Sequence, residues 1–343
     1  VSEVPTTRQP ERASIRDVAV KAGVSRQTVV RAMNDMPGIS ADTKAHVLRV
    51  ARELRYRPSR FGRGLAKQDT LTVGLVVSDL TNAYFAELAS EFIAVAGEVG
   101  WTVLVQEIER DKQHEKRVLS SFATQVDAIV GYLLIDDAEL DDLVGDLPVV
   151  RFADLARGGH RPMIGIDYEP GMSAALDHLT HGGRRHILMV DVPTEAGPSP
   201  RAEVFRRLSA ARGLATTIVE LPDEHLPRTG AVMAFVAQAL ETHPETDAIV
   251  GFNDMIAVGA LKQLVSAGVA VPERCAVLGI DGLLVGELVT PSLSTLEFDM
   301  RMAARMLFEA MLAALSDPHP AGGTGPVAIV THTLTVREST ATA

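Results

Sequence analysis

The sequence predicts a small all-α head followed by an α/β body of two doubly wound parallel-sheet subdomains. Three observations point to it. Charge is uneven: residues 1–68 hold 14 Lys and Arg against 6 Asp and Glu, while the rest of the chain holds 19 against 38. Between residues 14 and 58 apolar side chains recur at helical spacing in short segments. From Thr70 onward short apolar runs alternate with amphipathic stretches, as parallel strands joined by helices do. At 343 residues the chain exceeds one ordinary core, so two or three folding units are expected.

In the head, Ser14 is suited to cap a helix whose apolar face is Ile15, Val18, Ala19 and Ala22. Gly23 ends that helix, Val24 fills the turn and Ser25 caps a second helix at once. On the second helix Val29, Ala32 and Met33 share one sector, and Arg26, Gln27, Val30 and Arg31 share the opposite one. So short a connection with a polar outer face is a helix-turn-helix arrangement. A third helix, capped by Ser40, turns Val47, Leu48, Ala51 and Leu54 inward, which is enough to close a small core. The outer sector suits a DNA major groove: Arg donates a bidentate pair to guanine, Gln to adenine, and Val30 meets a thymine methyl. Taken singly, each of these side chains reads as a solvated surface group. Together with a basic head on an acidic body, they read as a nucleic-acid face.

The stretch from Ser14 to Lys67 closely resembles the headpiece of LacI/GalR-family transcriptional regulators. The family pattern reads VSxxTVSRVLN, then a third helix ending in LxYxPN and a hinge ending in LA. The resemblance implies that Arg26, Gln27 and Arg31 lie on the recognition helix. It also implies that Ser25, Thr28, Asn34, Tyr56 and Arg60 serve DNA contact or headpiece packing. Val30 departs from the usual serine, which removes one polar contact. Pro58 stops the third helix, and in the family the segment after it becomes helical on DNA, with a leucine wedged into the minor groove; by position that is Leu65. Gly62 and Gly64 replace the family's alanine-rich hinge, each costing roughly 1 kcal/mol of helix stability.

In the body, strand candidates are residues 72–78, 101–106, 128–135, 163–166, 186–190, 248–252 and 276–280. Helical patterns cover 83–97, 170–181, 200–211, 229–242, 254–267 and 300–315. Such alternation places ligands at the C-terminal strand ends, in a hinged cleft between two units. The family resemblance continues through residues 78–92, 165–187 and 252–282, and implies a periplasmic-binding-protein-like (type I) effector core. It carries effector contacts onto Asn82, Tyr84, Phe85, Arg201, Asn253 and Asp281. Phe298 stands where the family often has glutamine, which implies a less polar ligand or another orientation. Asn253 and Asp281 are equally suited to cap the helices that follow, and Phe85 to fill a core. Arg201, in a proline-flanked loop, has no evident structural partner in the sequence. The expected division is an arm at 1–13, headpiece 14–58, hinge 59–69, core 70–338 and tail 339–343. Within the core, 70–168 and 298–326 form one subdomain, and 169–297 and 327–338 the other.

Other chemistry finds no support. There is no GxxxxGK[ST], GxSxG or HExxH motif, and the chain is expected to be neither an enzyme nor a cofactor or metal binder. His178 and His181 belong to a helix and His186 to a strand, a structural rather than a metal-ligating set. The acidic run 136–146 lacks calcium-loop spacing and reads as a solvated helix face. Cys275, the single cysteine, excludes an internal disulfide and reads as a small core residue. No apolar run approaches the roughly 20 residues that span a bilayer, and the first residues show no secretion signal, so a cytoplasmic location is expected.

The sequence therefore predicts a repressor whose affinity for a pseudo-palindromic double-stranded operator is set by a small-molecule effector, a sugar or nucleoside-like metabolite. Only seven residues follow Val336, which favours a homodimer over a tetramer built by a C-terminal bundle. An activator or dual regulator of the same family, and a solute-binding protein, are the rivals. The glycines in the hinge give the first testable outcome. Amide exchange of residues 59–66 should be unprotected in the free protein and protected on operator; protection without DNA would contradict it.

Overall fold

The structure is a computed structural model that describes residues 15–33, 36–54, 71–108, 111–145, 147–155, 158–194, 197–222, 229–316 and 326–341. Two compact units divide at Thr70 and Leu71. Asn34, Tyr56, Arg60, Leu65, the arm and the hinge lie outside the described residues.

The first unit holds α1 (Ile15–Ala22), α2 (Arg26–Met33) and α3 (Ala41–Glu53). At the end of α1 the Val24 N–H donates to Ala19 O and the Gly23 N–H to Val20 O, a Schellman closure that needs the left-handed backbone of Gly23 (φ +64°). Ser25 Oγ then accepts from Thr28 N–H at 3.1 Å, and Ser40 Oγ from Thr43 N–H at 3.1 Å, so each following helix starts on a serine cap. Val18, Ala19, Ala22, Val29, Ala32, Val47, Val50 and Ala51 form the core. Val50 fills the place expected of Leu48, which is only half-buried, so α3 is rotated slightly from the expected face.

The second unit runs β1 (Thr72–Val77), α4 (Ala83–Glu98), β2 (Thr102–Glu107), α5 (Lys112–Phe122), β3 (Ala128–Gly131), α6 (Asp137–Val144), β4 (Val149–Asp154) and β5 (Met163–Asp167). It continues through α7 (Glu169–His181), β6 (His186–Asp191), α8 (Pro200–Ala211), β7 (Ala215–Glu220), α9 (Thr229–Thr242), β8 (Ala248–Gly251), α10 (Asp254–Ser266) and β9 (Ala276–Asp281). Last come α11 (Val285–Leu288), β10 (Ser294–Glu297), α12 (Met300–Ser316), β11 (Ala328–Thr331) and β12 (Thr333–Thr335). These strands make two six-stranded sheets, ordered β11-β5-β4-β3-β1-β2 and β12-β10-β9-β8-β6-β7. All pairings are parallel except β10 with β12, which adds one antiparallel edge to the expected parallel pattern. Each sheet has a hydrophobic cluster on both faces, as a doubly wound fold requires.

The chain passes between the subdomains three times: at Tyr168, at Phe298–Asp299 and at His332. Two expected boundaries are corrected. Residues 328–331 pair with β5 in the first sheet, so the last crossing is at His332 rather than at 326–327. Nor is 339–341 a loose tail: Ser339 is fully buried, donating through Oγ to Val277 O and accepting from Ser294 N–H. The strand expected at 128–135 stops at Gly131, beyond which the N–H groups of Leu134 and Ile135 donate to the buried Glu115 carboxylate. The acidic run does form a helix, but not a fully solvated face. Asp137 is buried, 2.7 Å from Arg151, and accepts from the N–H groups of His160 and Arg161. Cys275 is buried as expected, and burial pushes its thiol up to about 12. Among the described residues no helix is long and apolar enough to cross a membrane.

Removing one member of a buried ion pair strands the other. Arg151→Leu should therefore lower unfolding free energy by about 3–5 kcal/mol in urea denaturation, and Arg151→Leu with Asp137→Leu by much less. Equal losses in the single and double variants would show that the pair is not what holds this corner.

Candidate functional site

On the first unit, α2 presents Arg26 and Gln27 fully exposed, with Val30 and Arg31 half-buried beside them. Ser25 is exposed, and its hydroxyl is 2.9 Å from that of Thr28. Packing of Val29 and Ala32 into the core fixes which way α2 faces. The six described residues expected to meet DNA thus lie on one helix or its cap.

The second candidate site lies in the second unit, where strands of both sheets end. It is built by capping. Asp191, at the end of β6, accepts from both the N–H and the hydroxyl of Ser199. Ser199 Oγ in turn accepts from Ala202 N–H and opens α8, which carries Arg201 in its first turn. Arg201 sits on this helix, within the expected 200–211 span, but contrary to the sequence reading it has several structural partners. Its Nη2 is 3.1 Å from Asp281 Oδ1, and its Nη1 donates to Phe252 O. Its guanidinium carbon lies 4.5 Å from the Phe252 ring centroid and 5.2 Å from that of Tyr168. Arg201 is 8 % exposed and Asp281 3 %.

Asp281 does not cap the helix that follows; that N-cap is Leu284, with no side-chain bond. Its backbone is held at φ +123°, a region where a non-glycine residue is strained. Asp254 supplies the restraint: Oδ2 accepts from Leu283 N–H at 2.6 Å and Oδ1 from Thr295 Oγ1 at 2.6 Å. A Cβ at Gly279 would sit 2.1 Å from Asp254 Oδ1, so only glycine admits that carboxylate. Asn253 does cap, accepting from Ile256 N–H at 2.9 Å through Oδ1, and its Nδ2 makes no hydrogen bond among the described residues. Asn82 likewise caps α4, accepting from Tyr84 N–H.

The first sheet contributes aromatic rings. Tyr84 is buried and shares a short hydroxyl contact with Tyr132. Phe85, half-buried, meets both rings edge-on at 5.2 and 5.1 Å. Phe298 is buried against Tyr84, Phe152 and His332. Tyr168 stacks on His332 at 5.2 Å, and both Asp154 and Arg201 act on its hydroxyl. Sequence reasoning missed Tyr132, Phe152, Asp154, Tyr168, Phe252 and His332. Four of them, Tyr132, Tyr168, Phe252 and His332, stand immediately after strands, which is the signal that finds them.

Burial sets the charges. It raises the Tyr84, Tyr132 and Tyr168 hydroxyls above their ordinary value, so they stay protonated. It pushes the Asp281 carboxyl up to about 7, against the pull of Arg201. For Arg201, burial works against the cation, but Asp281, Tyr168 and Tyr84 together outweigh it and the guanidinium stays charged. Burial, assisted by the charge of Arg201, pushes His332 down to about 3. One cation, one titrating carboxyl and a ring of aromatic faces can orient hydroxyls while covering an apolar ring face. Two other depressions, at His186, Thr216 and Glu245 and at Val219, Phe235 and His243, lack such a convergent set; the first lies at the N-terminal strand ends. Among the described residues no group of three or more His, Cys, Asp or Glu side chains is placed to hold a metal.

Comparison with known proteins matches both units. The description "Bacterial regulatory proteins, lacI family" matches residues 14–59, and "Periplasmic binding protein-like domain" matches residues 176–340. The ribose operon repressor of Halalkalibacterium halodurans is 29% identical over 83% of this chain and 85% of its own length. A LacI family transcriptional regulator from Arthrobacter sp. FB24, in complex with lactose, is 30% identical with a TM-score of 0.72, covering 79% of this chain and 100% of that one. The lac repressor dimer bound to operator shares the fold at 21% identity and a TM-score of 0.69, over 96% of this chain and 99% of that one. Head, body and whole-length likeness agree: the chain belongs to the LacI family of transcriptional regulators.

Proposed function

We propose that the protein is a cytoplasmic repressor that binds a pseudo-palindromic operator as a homodimer and responds to a neutral polyhydroxylated effector, a sugar or nucleoside. The observation that carries the effector reading is the Arg201–Asp281 pair, buried at the strand ends and walled by Tyr84, Tyr168, Phe252 and Phe298. Such a pair offers a donor and an acceptor to hydroxyls, and the rings cover a sugar's apolar face. A two-fold protein symmetry matches a two-fold operator. Rotation about the three crossings would link cleft and head, so that effector and operator share one conformational equilibrium.

On DNA, a footprint of the promoter beside its own gene should show a protected near-palindrome, and protection without sequence preference would defeat the repressor reading. Gln27→Ala should weaken operator binding by about 1–3 kcal/mol while leaving binding to random duplex unchanged; an equal loss on both would make Gln27 a phosphate contact. In the cleft, hydroxyl protons donate best to a carboxylate, and the Asp281 carboxylate forms as pH rises through about 7. Titration calorimetry with lactose should therefore give binding roughly tenfold weaker one pH unit below that value than at the alkaline plateau. Asp281→Asn should bind weakly at every pH, and a slope surviving in Asp281→Asn would assign the titration to another group.

A further inference from the structure

Each of the three crossings between the subdomains carries a ring, and the third ring is unlike the others. Tyr168 and Phe298 are ordinary hinge aromatics, but the residue between β11 and β12 is a histidine, 4 % exposed. Both of its ring nitrogens, Nδ1 and Nε2, are shielded from solvent and have no hydrogen-bond partner among the described residues. The ring is pinned. It stacks on Tyr168 with an interplanar angle of 24°, and Phe298 lies 5.1 Å away at a tilt. From below, α7 closes on it so tightly that a Cβ at Gly171 would sit 2.8 Å from the His332 Cβ.

Its neighbours leave its hydrogen-bonding capacity unmet. Phe298 has no polar atom. The Tyr168 hydroxyl is already under the influence of Asp154 and Arg201. Arg201, close enough for its charge to act on the imidazole, has donors only and is bound to Asp281 and Phe252. A neutral imidazole needs one donor and one acceptor at once. A hydroxyl both donates and accepts, so it satisfies a ring nitrogen in either tautomer, whereas a carboxylate or phosphate supplies acceptors alone.

We infer that His332 is a ligand-contact residue of the cleft, one of whose ring nitrogens is satisfied by a hydroxyl of a neutral polyol effector. Burial beside a guanidinium keeps the ring neutral at physiological pH, which fits a hydroxyl and disfavours an anion. The contact lies on the third crossing, so occupancy of the cleft bears directly on a segment about which the subdomains turn. This rests on the effector reading above and narrows it to a ligand that carries a hydroxyl to the third crossing.

The test uses the full-length protein with lactose, cellobiose, D-ribose and adenosine as neutral probes and gluconate and fructose 1,6-bisphosphate as anionic ones. Thermal unfolding and calorimetry are recorded for wild type, His332→Phe and His332→Gln. Without ligand, His332→Phe should melt at or above the wild-type temperature, because it removes two unpartnered polar atoms from a ring stack. A neutral probe that shifts wild type should bind His332→Phe at least about tenfold more weakly, with much of that loss recovered in His332→Gln. A ligand-free His332→Phe that melts lower overturns the inference by showing that the nitrogens have structural partners. So does a His332→Phe that binds the probe as wild type does, with the effector reading left standing. A wild type shifted only by the anionic probes, or by none of the six, overturns the effector reading itself.

Discussion

A guanidinium buried to 8 % exposure must be neutralised where it lies, and in this protein Arg201 meets Asp281 at 3.1 Å. Removing Asp281 from such a pair costs about 3–5 kcal/mol, because the guanidinium is left charged and desolvated. Much of the local architecture serves that contact. Asp191 and Ser199 fix the start of α8 so that its first turn delivers the arginine. Asp254, stapled to Leu283 and Thr295, holds the end of β9 where Asp281 has a left-handed backbone. The rings of Tyr168 and Phe252 then cover the faces of the guanidinium. A strained backbone, a buried ion pair and an unmatched imidazole meet in one place, as they do where a site is built for a ligand rather than for stability.

The head follows a different logic. Its core is eight small or medium aliphatic side chains, and three helices of that size have little surface to spare for a groove. In the proposed reading, specificity rests on a few exposed residues of α2, repeated by symmetry in the proposed dimer. The charge division reinforces this: 14 basic against 6 acidic residues in the first 68 attract phosphate, and the acidic remainder repels it.

Much of this was legible in the sequence, and the gaps have physical causes. The helix-turn-helix was readable because caps, a glycine closure and apolar spacing all agree over residues 15–54. Strands flanked by clean apolar runs were readable as well. Val149–Asp154 was not, because Arg151 interrupts the run; only the structure shows the Asp137 that makes an arginine tolerable there. Ala215–Glu220 is an edge strand, half-buried or exposed throughout, and shows little alternation. Residues 327–338 read whole as part of the second subdomain because the crossing at His332 has no glycine or proline to mark it. Tyr84, Arg201 and Asp281 were reachable through their place after strands or in the family pattern. The partners that close around them were not, since Tyr132, Phe152, Tyr168 and His332 come from four separate loops or strands.

The central claim is that the cleft governs the head through the Arg201–Asp281 pair. Operator binding by the full-length protein, followed by fluorescence anisotropy with and without saturating lactose, cellobiose or D-ribose, tests it most directly. The account predicts that at least one of these changes wild-type operator affinity by roughly 5- to 150-fold and that Arg201→Met abolishes the response while still binding operator. An Arg201→Met protein whose operator affinity responds as wild type does would contradict it.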